Sequence, residues 1–159
     1  MDFKLLKFPD MMSAKTIEIE FKSSEVYDFM DVTEKVKKFV QQSGVENGIV
    51  NVQTFHTTTA ILLNEKESGL LEDIKKSLDR LVPSDIYYQH DDFDVRTENI
   101  CDDECRNGHS HCKAVRLPSS HTLNVVGGEM QLGTWQRLLF FELDRARVRK
   151  MQVMVMGST

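Results

Sequence analysis

Gly48 to Glu65 reads GIVNVQTFHTTTAILLNE, a run rich in β-branched residues with no helical periodicity. Branched side chains pack well on a pleated surface, so the run predicts two strands, or one long strand bent around Thr57 to Thr59. The central sheet is expected here. Upstream, Lys15 to Lys22 (KTIEIEFK) alternates Ile17, Ile19 and Phe21 with Thr16, Glu18 and Glu20, the period-2 pattern of a strand with one buried face. Between the two, Asp31 offers an N-cap with Glu34 three residues on. Val32, Val36, Phe39 and Val40 keep helical spacing, and Gly44 offers a stop.

Downstream, Ser68 to Val82 sets Leu70, Leu71, Ile74, Leu78, Leu81 and Val82 against a charged face and ends before Pro83, which predicts a second amphipathic helix. From Asp85 to Glu104 the chain turns acidic and loses all period, a loop of a length that is usually functional or mobile. Asn107 can cap a short third helix carrying Cys112, Ala114, Val115 and Leu117, which Pro118 stops. His121 to Val126, Thr134 to Leu143 and Val148 to Met156 read as antiparallel strands, with Gly127-Gly128 as a hairpin turn. In Trp135 to Leu143 both faces are apolar, Trp135, Leu139, Phe141 and Leu143 on one and Leu138 and Phe140 on the other. A partner subunit is therefore a candidate cover for one of them. The expected fold class is α+β: one domain over residues 14–159 after a short extension over residues 1–13, with a mainly antiparallel sheet packed against two to three helices.

Composition narrows the function. With 40% hydrophobic and 28% charged residues the 159-residue chain is ordinary globular material. Its net charge of −5 and scattered Lys and Arg lack the basic patch that nucleic acid requires. No run reaches the ~18 apolar residues of a membrane span, and the start, MDFKLLKFPDMMS, is too broken by Lys for a signal peptide. Nucleic acid and membrane are excluded as expected partners. Three cysteines, Cys101, Cys105 and Cys112, without an export signal read as reduced thiols of a cytoplasmic protein.

The five histidines carry the chemical signal, imidazole being both a common metal ligand and the proton shuttle of neutral pH. His56 shares strand parity with Val50 and Val52, which also suits a hydrogen-bonded core histidine. His90, between Tyr88 and the Asp91-Asp92 pair, sits where a carboxylate could orient the ring; an exposed loop histidine is the plain alternative. His109 and His111 stand two apart, about 200° around a helix, so one of them faces inward, and His111, with Ala114 and Val115 beyond it, is the better candidate. Cys101, Cys105, His109, His111 and Cys112 form a rival local zinc knuckle, though C-x3-C is looser than the usual spacing. The acidic loop lacks the pattern of a calcium loop, and no phosphate-binding glycine motif or serine nucleophile elbow is present.

Five segments in order resemble the YjbQ-like family: FHTTTA (Phe55 to Ala60) with Asn64-Glu65, LVP (Leu81 to Pro83), YQHDD (Tyr88 to Asp92), NGHSHCKA (Asn107 to Ala114) and LGTWQ (Leu132 to Gln136). The resemblance runs from about Ala14 to Gly157. It implies an α+β domain assembling as a homotrimer or higher homo-oligomer, and a pocket in which His56, His90 and His111 converge on a metal. His109 also matches a common histidine of the family. Members are named secondary thiamine-phosphate synthases, which implies weak coupling of a pyrimidine pyrophosphate to a thiazole phosphate. The three cysteines and the long acidic loop depart from the family pattern.

The expected function is accordingly a metal-dependent enzyme, a divalent ion, zinc by preference, held by His56, His90 and His111 with one position open. Residue type nominates Asp92, Glu65 and Glu142 as acid-base or supporting carboxylates, and Lys113 and Arg149 as cations for a small phosphorylated substrate. The alternatives are a metal- or ligand-binding module without turnover, and an assembly component whose histidines are merely satisfied.

Overall fold

The computed structural model describes residues 12–159. β1 (Met12–Lys22), β2 (Phe29–Asp31), α1 (Thr33–Ser43), β3 (Asn47–Thr54), β4 (Thr59–Asn64), α2 (Ser68–Leu81), α3 (Gly108–Ala114), β5 (Ser120–Val126), β6 (Glu129–Met130), β7 (Arg137–Glu142) and β8 (Val148–Ser158) follow in order, with a single 3₁₀ turn at Gln89–Asp91. Two antiparallel sheets result, one in the order β1-β8-β3-β5-β6, the other β2-β7-β4. The fold is α+β, as expected.

The run from Gly48 does make two strands, but in different sheets: β3 pairs with β5 and β8, and β4 pairs with β7. The chain crosses between sheets at residues 55–58, the place where the expected bend falls and where His56 sits. The Gly127-Gly128 turn is present, with both residues at positive φ as a tight hairpin requires. It returns into the two-residue β6, not into the 134–143 strand, which belongs to the other sheet.

The inner face of the larger sheet (Val50, Val52, Val125, Met151, Val153, Val155) packs on α1 through Val36 and Val40 and on one face of the smaller sheet through Ile61, Leu138 and Phe140. The other face of the smaller sheet, Ala60, Leu62, Leu139, Phe141 and Leu143, packs under α2 and α3 with Leu78, Leu71, Ile74 and Ala114. The layers are thus sheet, sheet with α1, then helices. Both faces of β7 are covered by this chain, so Leu138 and Phe140, each 0% exposed, offer nothing to a partner subunit, contrary to the sequence expectation. Trp135, expected on the buried face, lies ahead of β7 and is 71% exposed.

Smaller differences have local causes. α1 starts at Thr33 with Val32 in the cap position, because Asp31 ends β2 and its Oδ1 accepts the Thr33 N–H at 3.0 Å. α3 stops at Ala114, leaving Val115 80% exposed. Leu81, at the last residue of α2, is 66% exposed rather than part of the buried face. Of the expected N-terminal extension, Met12 and Ser13 pair with Ser158 and Gly157 in β1; the rest lies outside the described residues.

Candidate functional site

A cavity of about 580 Å³ opens where three separate stretches meet: the inter-sheet crossing (Phe55, His56, Thr57, Thr58), the loop and helix from His90 to His111, and the turn into β8 (Arg145, Arg147, Arg149). His56, His90 and His111 all line it, from positions up to 55 residues apart in the chain.

His56 is set by the crossing turn. Its backbone N–H donates to Thr54 Oγ1 at 3.2 Å, and its Nε2 accepts the Lys150 backbone N–H at 2.8 Å. The Leu143 N–H donates to the Thr58 carbonyl at 3.1 Å. The ring therefore presents Nδ1–H to its surroundings. His90, in the 3₁₀ turn, has its ring 4.6 Å from that of His111. The His90 Nε2 lies 3.2 Å from Arg96 Nη1. Burial pushes the pKa of His111 down, with the nearby His90 second, and burial followed by Arg149 does the same for His56. Both favour the neutral imidazole.

His111 is aimed by what anchors α3. Asp91 Oδ1 accepts the N–H groups of Asn107 and Gly108 at 2.9 and 2.8 Å, doing from the acidic loop the capping that the Asn107 side chain was expected to do. The Asn107 amide instead donates to Asp144 Oδ2 at 3.3 Å, and Ser110 Oγ donates to the Leu143 carbonyl at 2.6 Å. Asn107 Oδ1, on a residue 4% exposed in the cavity wall, has no hydrogen-bond partner among the described residues.

Opposite the histidines, Arg149 is fixed by Glu142: Nε and Nη2 donate to its two carboxylate oxygens at 2.6 and 2.5 Å, and Nη2 also meets Thr58 Oγ1 at 3.1 Å. Ser23 Oγ donates to the same carboxylate at 2.8 Å. Glu142 is 0% exposed, so it supports Arg149 from behind and does not reach the cavity as an acid or base. Arg147, Arg145 and Arg96 complete a cationic wall, partly balanced by Asp103, Glu104 and Asp144.

Three nominated residues stand elsewhere. Lys113, 1% exposed, donates to Asp79 Oδ1 at 2.7 Å and to the Tyr27 hydroxyl, which itself bonds Asp79; it ties α3 to α2 and does not line the cavity. Asp92 accepts the Tyr87 hydroxyl at 2.8 Å in the wall of a second cavity that also holds His109. The two histidines of α3 thus face different cavities, as their helical separation requires. Glu65 follows β4 and lines none of these cavities. Sequence reading missed Arg96, Arg145 and Arg147. Arg145, Arg147 and Arg149 alternate in DRARVRK, a period-2 signal that three cations belong to one face.

The family model described as UPF0047 protein YjbQ-like matches residues 17–158. The chain belongs to the YjbQ-like family. Among relatives of this YjbQ-like chain, a UPF0047 protein of Methanothermobacter thermautotrophicus is 40% identical over 147 residues, 92% of this chain and 95% of that one. One of Archaeoglobus fulgidus is 38% identical over 137 residues, 86% and 98% of the two chains. Solved structures agree: a YbjQ-like protein of unknown function from Sulfolobus solfataricus P2 superposes with a TM-score of 0.82 at 29% identity, covering 93% of this chain and 100% of that one. A hypothetical protein of Aeropyrum pernix K1 gives 0.78 at 33% identity, covering 91% and 99%.

The donor set of this YjbQ-like pocket fits a divalent ion of zinc type in kind: three imidazoles on one cavity, two of them adjacent, and an orphaned buried amide oxygen in the same wall. Among the described residues no three His, Cys, Asp or Glu groups stand close enough to hold an ion together, because His56 and His90 each direct a nitrogen at a protein donor. Cys101 and Cys105 line the cavity as free thiols and Cys112 does not, so the five residues of the local knuckle are not assembled.

Proposed function

We propose that the chain is a metal-dependent enzyme acting on a small phosphorylated substrate in the histidine–arginine cavity. The observation that carries the reading is the meeting of three imidazoles and four guanidiniums on one 580 Å³ cavity. A volume of that size suits a drug-sized or nucleotide-sized ligand. Guanidinium forks match the oxygens of phosphate in shape and charge.

His90, His111 and His56 are the residues that would hold the ion. When bound, it would supply a Lewis acid for a phosphate oxygen and an activated water. The chain's own groups do the rest. Glu142 holds Arg149 so that its guanidinium is presented without a search through rotamers. Arg145 and Arg147, on the same turn, add charge where a phosphate would sit. The coupling implied by the family resemblance breaks a carbon–oxygen bond to pyrophosphate as the thiazole nitrogen attacks that carbon. Its demand is stabilisation of a departing polyanion, which a cationic wall meets.

The test is elemental analysis of the purified protein and of His56→Ala, His90→Ala and His111→Ala, with pyrophosphate affinity by calorimetry and the coupling assay on each. Roughly one zinc per chain, lost together with activity in the histidine variants, is the expected result. Neither metal nor pyrophosphate binding would retire the proposal.

A second reading, a binding module without turnover, draws on the hydrogen bonds that engage His56 and His90, since imidazoles so committed serve poorly as bases. Metal and pyrophosphate retained with no product would favour it. We also propose, on the family resemblance, a homotrimeric assembly. The outer face of the larger sheet supports it modestly, with Ile49 and Met156 only half-buried and Met154 36% exposed; sedimentation velocity decides the number.

A further inference from the structure

One side chain grips both the loop over the cavity and a histidine beneath it. Arg96, whose side chain is only 12% exposed, places Nη1 3.2 Å from His90 Nε2 and 3.2 Å from the His90 carbonyl. Its Nη2 donates to the Asn99 carbonyl at 2.5 Å and to Glu104 Oε2 at 3.3 Å, and its Nε donates to the Glu98 carbonyl at 3.0 Å. Glu104 Oε2 in turn accepts the Cys101 N–H at 3.2 Å. Residues 96–104 have no regular secondary structure, so much of their order depends on this one guanidinium. At the far end, Arg145 Nη2 donates to the Asp103 carbonyl at 3.0 Å, so the loop runs from the histidine side of the cavity to the arginine side.

Guanidinium stays charged and has no acceptor. His90 Nε2 must therefore be the acceptor in this contact, and the ring's proton sits on Nδ1. A cation bound at Nε2 takes the lone pair that Arg96 uses. A cation bound at Nδ1 moves the ring proton to Nε2, where it points at the guanidinium. Either way, occupation of His90 and the Arg96 contact exclude each other.

We propose that Arg96 is an autoinhibitory latch: it holds His90 out of use and pins loop 96–104 across the cavity, and a divalent cation captured by His90 frees the loop. The inference rests on the metal reading above. Capture of the ion and opening of the cavity to substrate become one event, so the ion binds first and the phosphorylated ligand second. The device belongs to the acidic, cysteine-bearing insertion in which this chain departs from the pattern it otherwise resembles.

The experiment follows cleavage after Glu98 and Glu104 by a glutamyl endopeptidase in the full chain, with and without zinc, for the wild type, Arg96→Ala and Arg96→Lys. Zinc affinity is read in parallel by competition with a chelating dye. Zinc is expected to speed cleavage of the wild type several-fold. Both variants should be cut fast without zinc and bind it about tenfold more tightly, the worth of one charge-assisted hydrogen bond. Arg96→Lys keeps the charge while losing the fork, so a gain in Arg96→Ala alone would reduce the effect to charge and overturn the latch. Histidine-dependent zinc binding that leaves cleavage unchanged or slows it would overturn the latch and spare the metal reading. Zinc bound by none of the three proteins would overturn both.

Discussion

At the scale of single residues, Arg149 and Glu142 are the most demanding pair. Both are within a few per cent of complete burial, and removing one charge leaves the other desolvated and alone. Glu142→Gln should cost about 3–5 kcal/mol in urea unfolding, while Asp103→Asn, on the exposed rim, should cost under ~1 kcal/mol. The histidines give a pH dependence. Burial lowers the folded-state pKa of His56, His109 and His111 below the ordinary value of about 6.5. The unfolded chain then takes protons first, so this contribution is full above about pH 7 and is lost as pH falls through ~6.5 toward the folded values. Melting of the metal-free protein should drop between pH 7.5 and 5, and His109→Gln with His111→Gln should flatten the slope; a flat wild-type profile would contradict the burial. At this scale the sequence was legible in part. Imidazoles announce themselves by type, and His56, His90 and His111 do share a cavity. The roles of Lys113 and Glu142 were not legible, because whether a charge faces substrate or another charge depends on the element packed behind it.

The elements are held at a few backbone positions. Gly44 closes α1 at φ 71° with open space where a Cβ would go, so Gly44→Ala meets only backbone strain and should cost about 1 kcal/mol by thermal melting. Gly108 is different: a Cβ there would lie 2.8 Å from Tyr88 Cβ and 3.2 Å from Asp91 Oδ1. Gly108→Ala should push the Tyr88–Asp91 turn off the start of α3, cost about 1–3 kcal/mol, and separate the His90 and His111 rings. Loss of zinc from a still-folded Gly108→Ala protein checks this. Strands and long helices were readable from period alone, as Ile17, Ile19 and Phe21 or Ile74 and Leu78 show. α3 was readable only roughly, because its cap comes from Asp91, sixteen residues before Asn107. β7 misled in one respect: two apolar faces suggested a missing partner, and the chain itself supplies both covers by passing from one sheet to the other at residues 55–58.

For the whole molecule, β7 carries one residue set into each of the two cores, so neither sheet can lose its packing without exposing the other. Melting should therefore be a single transition with calorimetric and van't Hoff enthalpies equal; two resolved transitions would contradict the shared strand. Which sheet each strand joins could not be read from pattern, since a half-buried strand records only that one face is dry. The order of the larger sheet has a further consequence. β8 lies between β1 and β3, yet it is the strand the ribosome delivers after all the others. Until it emerges, β1 has no neighbour and β3 keeps an open edge, the kind of surface that recruits strands from other chains. The growing polypeptide must wait with its most adhesive edges bare, and the arginines that complete the cavity arrive with the same late segment. A polypeptide halted before Val148 should therefore collect in inclusion bodies or on chaperones, and protein synthesis itself decides when this pocket first exists.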